Sequence, residues 1–135
     1  MYTIEHRQED YHRVLERLQS ALQKEPDADE IYLDATIQRF EFSFELAWKL
    51  MKAVLEYEGI EVSSPRSSIR EGWKAGLIAD AETWLDMQEK RNLFTHIYDE
   101  FTALEVYRQI KEKYVALLVA WDEEVQRRLL ETGAI

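Results

Sequence analysis

Between Asp29 and Gly59 the chain contains no glycine or proline, and Leu33, Ile37, Phe40, Phe44, Ala47, Met51 and Val54 recur there at alternating spacings of four and three. That period places all seven side chains on one face of an α-helix. The alternation Phe40-Glu41-Phe42-Ser43-Phe44 would by itself suit a strand, but the helical pattern continues on both sides of it. A second stripe of Ala35, Phe42, Leu46 and Leu50 makes the helix apolar on two sides. A helix of that kind must be covered by several others, so it is expected to be the central member of a bundle.

The remaining segments supply the neighbours. Tyr11, Leu15, Leu18 and Leu22 repeat at four, three and four, so residues 5–25 read as an amphipathic helix ended by Pro26. Asp27, with Glu30 three residues later, resembles a capping box opening the long helix. Gly59 is placed to end that helix, and Ser64-Pro65 to begin a short one, with serine as cap and proline at the first helical position. Gly76 closes the short helix and Asp80 caps a fourth, in which Trp84, Met87, Arg91, Phe94 and Tyr98 follow at helical spacing. A fifth starts near Asp99 with a core face of Ala103, Tyr107, Ile110, Tyr114, Leu117 and Trp121, and a tail towards Ile135. The chain shows no internal repeat and no long linker. The predicted fold is all-α, an antiparallel up-down bundle of four long helices and one short one, in a single domain over residues 1–135.

Lys and Arg number 17 against 27 Asp and Glu, a net charge of −10. Nonspecific coating of nucleic acid needs cations to neutralise phosphates, so any nucleic-acid contact of this chain must be local. One basic edge exists: Arg66, Arg70 and Lys74 at i, i+4 and i+8 on the short helix. The absence of cysteine excludes disulfides and thiolate metal sites, and three scattered histidines leave little room for zinc, so no cofactor is expected. The N-terminus lacks an apolar signal region, and the uncharged run from Tyr114 to Trp121 is far short of a membrane span. These features predict a soluble, cytoplasmic protein with no membrane association.

The run Arg91-Asn92-Leu93-Phe94-Thr95-His96-Ile97-Tyr98 holds three groups suited to phosphate chemistry. Arginine offers a planar fork of donors to a phosphate, and histidine exchanges a proton near neutrality. Together they suit attack of a ribose 2′-hydroxyl on its own phosphodiester, with no metal required. On an ideal helix Arg91 and His96 stand about 140° apart, whereas Tyr98 returns to the Arg91 face. Either the helix loosens near His96 or a second chain completes the site. Arg91 also lies in an apolar stripe, where a charge needs a partner. Glu41, Glu45 or a carboxylate of its own helix can supply it, which is the purely structural explanation. His96 alone would suit a helix end, and Tyr98 alone a packing aromatic.

Other constellations are weaker. Asp27-Ala28-Asp29 matches the metal pair of nucleotidyltransferases, but no Gly-Ser loop precedes it and no strand carries it, so it reads as a helix cap. Gly59, Gly72 and Gly76 form no phosphate-cradling loop. Trp48, Trp84 and Trp121 read as core, whereas Trp73, beside Arg70 and Lys74, is a candidate for base stacking.

The block from Asp34 to Leu50, DATIQRFEFSFELAWKL, resembles the nucleotidyltransferase substrate-binding-protein family of the HEPN superfamily, as do Ser64-Pro65-Arg66, Gly76-Leu77-Ile78 and the stretch from Trp84 through Glu100. The resemblance spans roughly residues 10–115 and implies a HEPN-like bundle. It also implies a homodimer in which two Arg-x4-His motifs meet in a cleft that, in the HepT-like toxins of HEPN/MNT toxin-antitoxin pairs, is a metal-independent ribonuclease. Arg91 and His96 match the two required positions, with Asn92 as a supporting polar residue. Tyr98 matches the tyrosine that a partner minimal nucleotidyltransferase adenylylates to silence the toxin. Lys90, Arg66, Arg70 and Lys74 are the residues left to make the cleft locally basic for RNA. The alternative within the same resemblance is a non-catalytic subunit that presents a nucleotide or other substrate to its transferase partner.

Overall fold

The computed structural model describes residues 2–23, 30–94 and 100–132 of the chain. Helix α1 runs Ile4–Ala21, α2 Glu30–Tyr57, α3 Pro65–Lys74 and α4 Ala81–Phe94. Helix α5, Glu100–Gln109, passes through a π-helical turn at Ile110–Tyr114 into α6, Val115–Thr132. Among the described residues there are helices and turns and no strand, and the fold is the antiparallel all-α bundle expected, with α2 packed against each of the other helices.

Local signals set most boundaries. Thr3 caps α1 by accepting from the His6 backbone N–H, and Ser64 caps α3 by accepting from the Ser67 backbone N–H, with Pro65 beginning the helix. Asp80 accepts from the Thr83 hydroxyl at 2.7 Å and from the Thr83 backbone N–H at 3.1 Å, which together hold its carboxyl below the usual range, and the backbone bond starts α4. Gly76 takes a φ of +78° after α3, a conformation open to glycine at no steric cost. Gly72 answers a different need. A Cβ there would meet the Met51 sulfur at 2.8 Å, so glycine lets α3 lie close against α2. The capping pair Asp27 and Glu30, and with it Asp27-Ala28-Asp29, lies outside the described side chains, as do Asp99 and the end of the tail.

The first stripe of α2 is core throughout: Leu33, Ile37, Phe40, Phe44, Ala47, Met51 and Val54 are buried, and Phe44 packs on Trp84 of α4. The second stripe corrects the expectation. Leu50 is fully buried and Ala35 and Leu46 half-buried, but Phe42 is 57 % exposed, so this flank is covered only in part. Buried hydroxyls on α2 are satisfied locally, Thr36 donating to the Tyr32 carbonyl and Ser43 to that of Arg39.

The last rod carries a second correction. Leu117, expected in the core, is only half-buried, and Leu118 is fully buried in its place. The π turn at Ile110–Tyr114 accommodates one more residue than an α turn and rotates everything after it, so the inward face continues as Leu118, Trp121 and Val125. Trp121 then donates to the Ala47 carbonyl at 3.1 Å, and Tyr11 of α1 donates to the Leu118 carbonyl at 2.6 Å, tying α6 to α2 and α1. No described helix is long and apolar enough to cross a membrane.

Candidate functional site

Arg91 closes the inner stripe of α4. Trp84 and Met87, two turns and one turn before it, are fully buried; its side chain is 32 % exposed. It faces α2, where Nη2 lies 2.8 Å from Glu45 Oε2. The two groups form an ion pair without the alignment of a hydrogen bond, for Glu45 Oε2 and Arg91 Nε are both buried with no hydrogen-bond partner among the described residues. Trp48, one turn beyond Glu45, buries its indole N–H in the same unpaired state. Glu41 stands one turn before Glu45. Burial pushes its carboxyl above the ordinary value, and the Arg91 charge pulls it partly back. Of the partners open to Arg91 by sequence, the structure therefore selects Glu45, with Glu41 as a second carboxylate in its field.

His96 and Tyr98 lie outside the described residues, as does the side chain of Phe94. Asn92, the next residue of the motif, turns to the other side of α4. There it lines a cleft of about 600 Å³ with Arg66 of α3, Lys113 of the π turn, and Glu82, Asp86 and Glu89. Lys113 is a cation that sequence reasoning did not place; only the π turn brings it there. Lys90 does not line the cleft, and its ammonium lies 3.2 Å from Asp86 Oδ1. Tyr114 also donates to Asp86, and burial with that acceptor holds its hydroxyl protonated far above the usual range. Burial would raise the Asp86 carboxyl, but Tyr114 and Lys90 outweigh it, so it stays ionised to lower pH than usual.

The basic edge of α3 is real but uneven. Arg66, Arg70 and Lys74 line a groove of about 410 Å³ with Glu71, which pairs with Lys74 at 3.7 Å. Neither Arg66 nor Arg70 has an ion pair among the described residues, and both are exposed. Thus the structure joins Arg66 to Asn92 across one cleft and to Arg70 and Lys74 along another, while Arg91 and Lys90 each face a carboxylate.

A second polar cluster went unread in the sequence. Asp122 of α6, 3 % exposed, accepts from Gln8 and Gln126 at 2.9 Å each and lies 2.7 Å from His12 Nδ1. That contact raises the His12 pKa above its ordinary value, against a smaller lowering by burial. Counting the core from Leu117 sets Asp122 off the inner face; counting from Leu118 sets it one turn on, inside the stripe.

Comparison with known proteins gives a consistent set of likenesses. The family model described as nucleotidyltransferase substrate binding protein like matches residues 6–127. A probable ribonuclease HepT from Haemophilus influenzae is 36 % identical over 81 residues, 56 % of each chain, so the chain spans little more than half the length of that curated relative. A solved structure from Thermus thermophilus superposes with a TM-score of 0.75 at 36 % identity, covering 88 % of this chain and 98 % of the other. A Haemophilus influenzae structure, described as revealing the fold of a substrate binding domain of a nucleotidyltransferase, superposes with a TM-score of 0.78 at 23 % identity over the same shares and shares the fold.

Proposed function

This chain belongs to the nucleotidyltransferase substrate-binding-protein family of HEPN-like, HepT-like bundles, and from that premise we propose that it is the toxin of a HEPN/MNT toxin-antitoxin pair, a metal-independent ribonuclease. The observation that carries the reading is Arg91: a guanidinium held at the end of a buried stripe, ion-paired to Glu45 yet with Nε left without a hydrogen bond, in the arginine position of an Arg-x4-His run. A buried donor left open costs stability, and a phosphodiester oxygen is a suitable acceptor for it.

In the proposed reaction His96 takes the proton from a ribose 2′-hydroxyl as its oxygen attacks the adjacent phosphorus. The bond to the 5′-oxygen breaks, a second histidine protonates that leaving oxygen, and a 2′,3′-cyclic phosphate and a 5′-hydroxyl result. Arg91 stabilises the charge that develops on the non-bridging oxygens, Glu45 fixes where the guanidinium stands, and Asn92 lines the neighbouring cleft on the other side of α4. An ideal helix would hold the two motif positions about 140° apart, and on this reading a second copy of the chain in a homodimer supplies the second histidine. Each copy works as one domain over residues 1–135, in the cytoplasm, with RNA as substrate. Adenylylation of Tyr98 by a partner minimal nucleotidyltransferase places a bulky anion in the cleft and stops the reaction.

The test is cleavage of RNA in EDTA by the wild type and His96→Ala, scoring product ends. Cyclic phosphate from the wild type alone is the expected result; equal cleavage by both proteins, or by neither when folded and unmodified, overturns the assignment. A second reading has an observation in its favour: within a chain of net charge −10, Lys90 and Arg91 are both neutralised by carboxylates, which suits a subunit that presents a nucleotide to its transferase. On that reading Arg91→Ala weakens partner-dependent transfer, and the bundle alone cuts nothing.

A further inference from the structure

Trp73 is the tryptophan that the fold leaves outside: it is 54 % exposed, whereas Trp84 and Trp121 are buried and Trp48 packs against the core. An exposed ring is ordinary by itself, since Phe42 and Tyr57 are exposed as well; what sets Trp73 apart is its neighbours. Arg66, Arg70 and Trp73 fall at i, i+4 and i+7 of α3, within an arc of about 60° on one face. The two arginines are exposed and carry no ion pair among the described residues, in a chain where acidic groups outnumber basic ones by 27 to 17. Each step from Arg66 to Arg70 rises about 6 Å along the helix, comparable to the separation of neighbouring phosphates in an extended single strand. Arg66 lines both the groove along α3 and the cleft that contains Asn92, so the face continues into that cleft.

We infer that the exposed face of α3 is a track for single-stranded RNA, with Arg66 and Arg70 on successive phosphates, one base stacked on Trp73, and the strand passing over Arg66 into the cleft that holds Asn92. This rests on the reading of RNA as substrate and extends it to a site apart from Arg91. Single-strand binders combine cations that follow the backbone with aromatic rings on which bases stack without regard to sequence. Glu71 gives the face a limit: it holds Lys74, so the track is the Arg66–Arg70–Trp73 edge rather than the full basic row. Glu82 and Glu89 in the cleft likewise favour passage of the strand along its α3 wall, past Arg66.

The experiment measures binding and cleavage separately. A fluorescein-labelled oligouridylate is titrated, across a range of salt, against the full chain carrying His96→Ala, alone and with Trp73→Ala, Arg70→Gln or Arg66→Gln added. Trp73→Ala is expected to weaken binding about tenfold, as the loss of one stacked base does. Each arginine variant is expected to reduce the slope of log affinity against log salt by about 0.7. All three residues are exposed, so unchanged thermal unfolding is expected and is checked for each variant. Unaltered affinity and salt slope in all three variants, or no binding of the oligouridylate at all, overturns the track. Loss of association with a partner transferase, with oligonucleotide binding intact, also overturns it, since α3 would then be a protein-docking face. Failure of the nuclease reading appears elsewhere, as α3-dependent binding by a wild-type protein that cuts nothing, and that outcome leaves the track standing.

Discussion

Asp122 and Arg91 are both charges carried towards the interior of the bundle, and their surroundings differ in kind. Asp122, on α6, has a donor for each oxygen: Gln8 on one, and His12 and Gln126 on the other, drawn from the first and last helices. Arg91, on α4, has a carboxylate at 2.8 Å but no aligned hydrogen bond to it, and its buried Nε and the facing Glu45 Oε2 are both unpaired among the described residues. The Asp122 site completes its polar network from its own chain; the Arg91 site leaves donors and an acceptor without a hydrogen bond among the described residues. Completed networks rigidify a fold, and open ones keep free energy available for a ligand or a second copy.

The comparison predicts opposite phenotypes. The largest effect is expected for Arg91→Ala, which should lower RNA cleavage by about 10² to 10³, the usual loss when one donor to a developing oxyanion is removed. It should leave urea stability within about 1 kcal/mol of the wild type, because the pair it breaks is one-third exposed. A fall in stability with activity intact would make Arg91 a structural ion pair and collapse the distinction. Asp122→Ala should do the reverse, costing about 3 kcal/mol in urea unfolding because a buried acceptor for three donors is lost, with cleavage by the remaining folded protein unchanged. Loss of cleavage in that variant, on protein shown to be folded, would mean the two sites are coupled.

The smallest effect sharpens the same point through pH. Because Asp122 raises the His12 pKa in the folded state, the His12 contribution is fully present below the unfolded value of 6.5 and is lost as pH rises through the higher folded value. The stability difference between the wild type and His12→Gln should therefore shrink on going from mildly acidic to mildly alkaline solution. The change should stay under about 1 kcal/mol, since the imidazole is nearly half-exposed and screened by water. A difference that grows with pH would mean that His12 is held neutral and that Asp122 is satisfied by the glutamines alone.

What the amino-acid order determined by itself is whatever acts within one helical turn. Ser64-Pro65 and Asp80 start helices where they stand, because capping joins a side chain to a backbone group three residues away, and Gly76 follows the end of one because glycine takes a positive φ at no steric cost. The stripe from Leu33 to Val54 is buried as its spacing requires, and the residues of the Arg-x4-His run were legible as a motif. Tertiary structure decided what depends on neighbours. Packing selected Glu45 over Glu41 as the counter-ion of Arg91, left Phe42 outside, and joined Gln8 to Asp122 across 114 residues. It placed a π turn at Ile110–Tyr114, with Tyr114 anchored to Asp86, and so moved the core from Leu117 to Leu118 and brought Lys113 into the cleft. The physical reason is reach: helical periodicity fixes each face relative to its own axis, but only the packing of one helix on another fixes which face meets which charge.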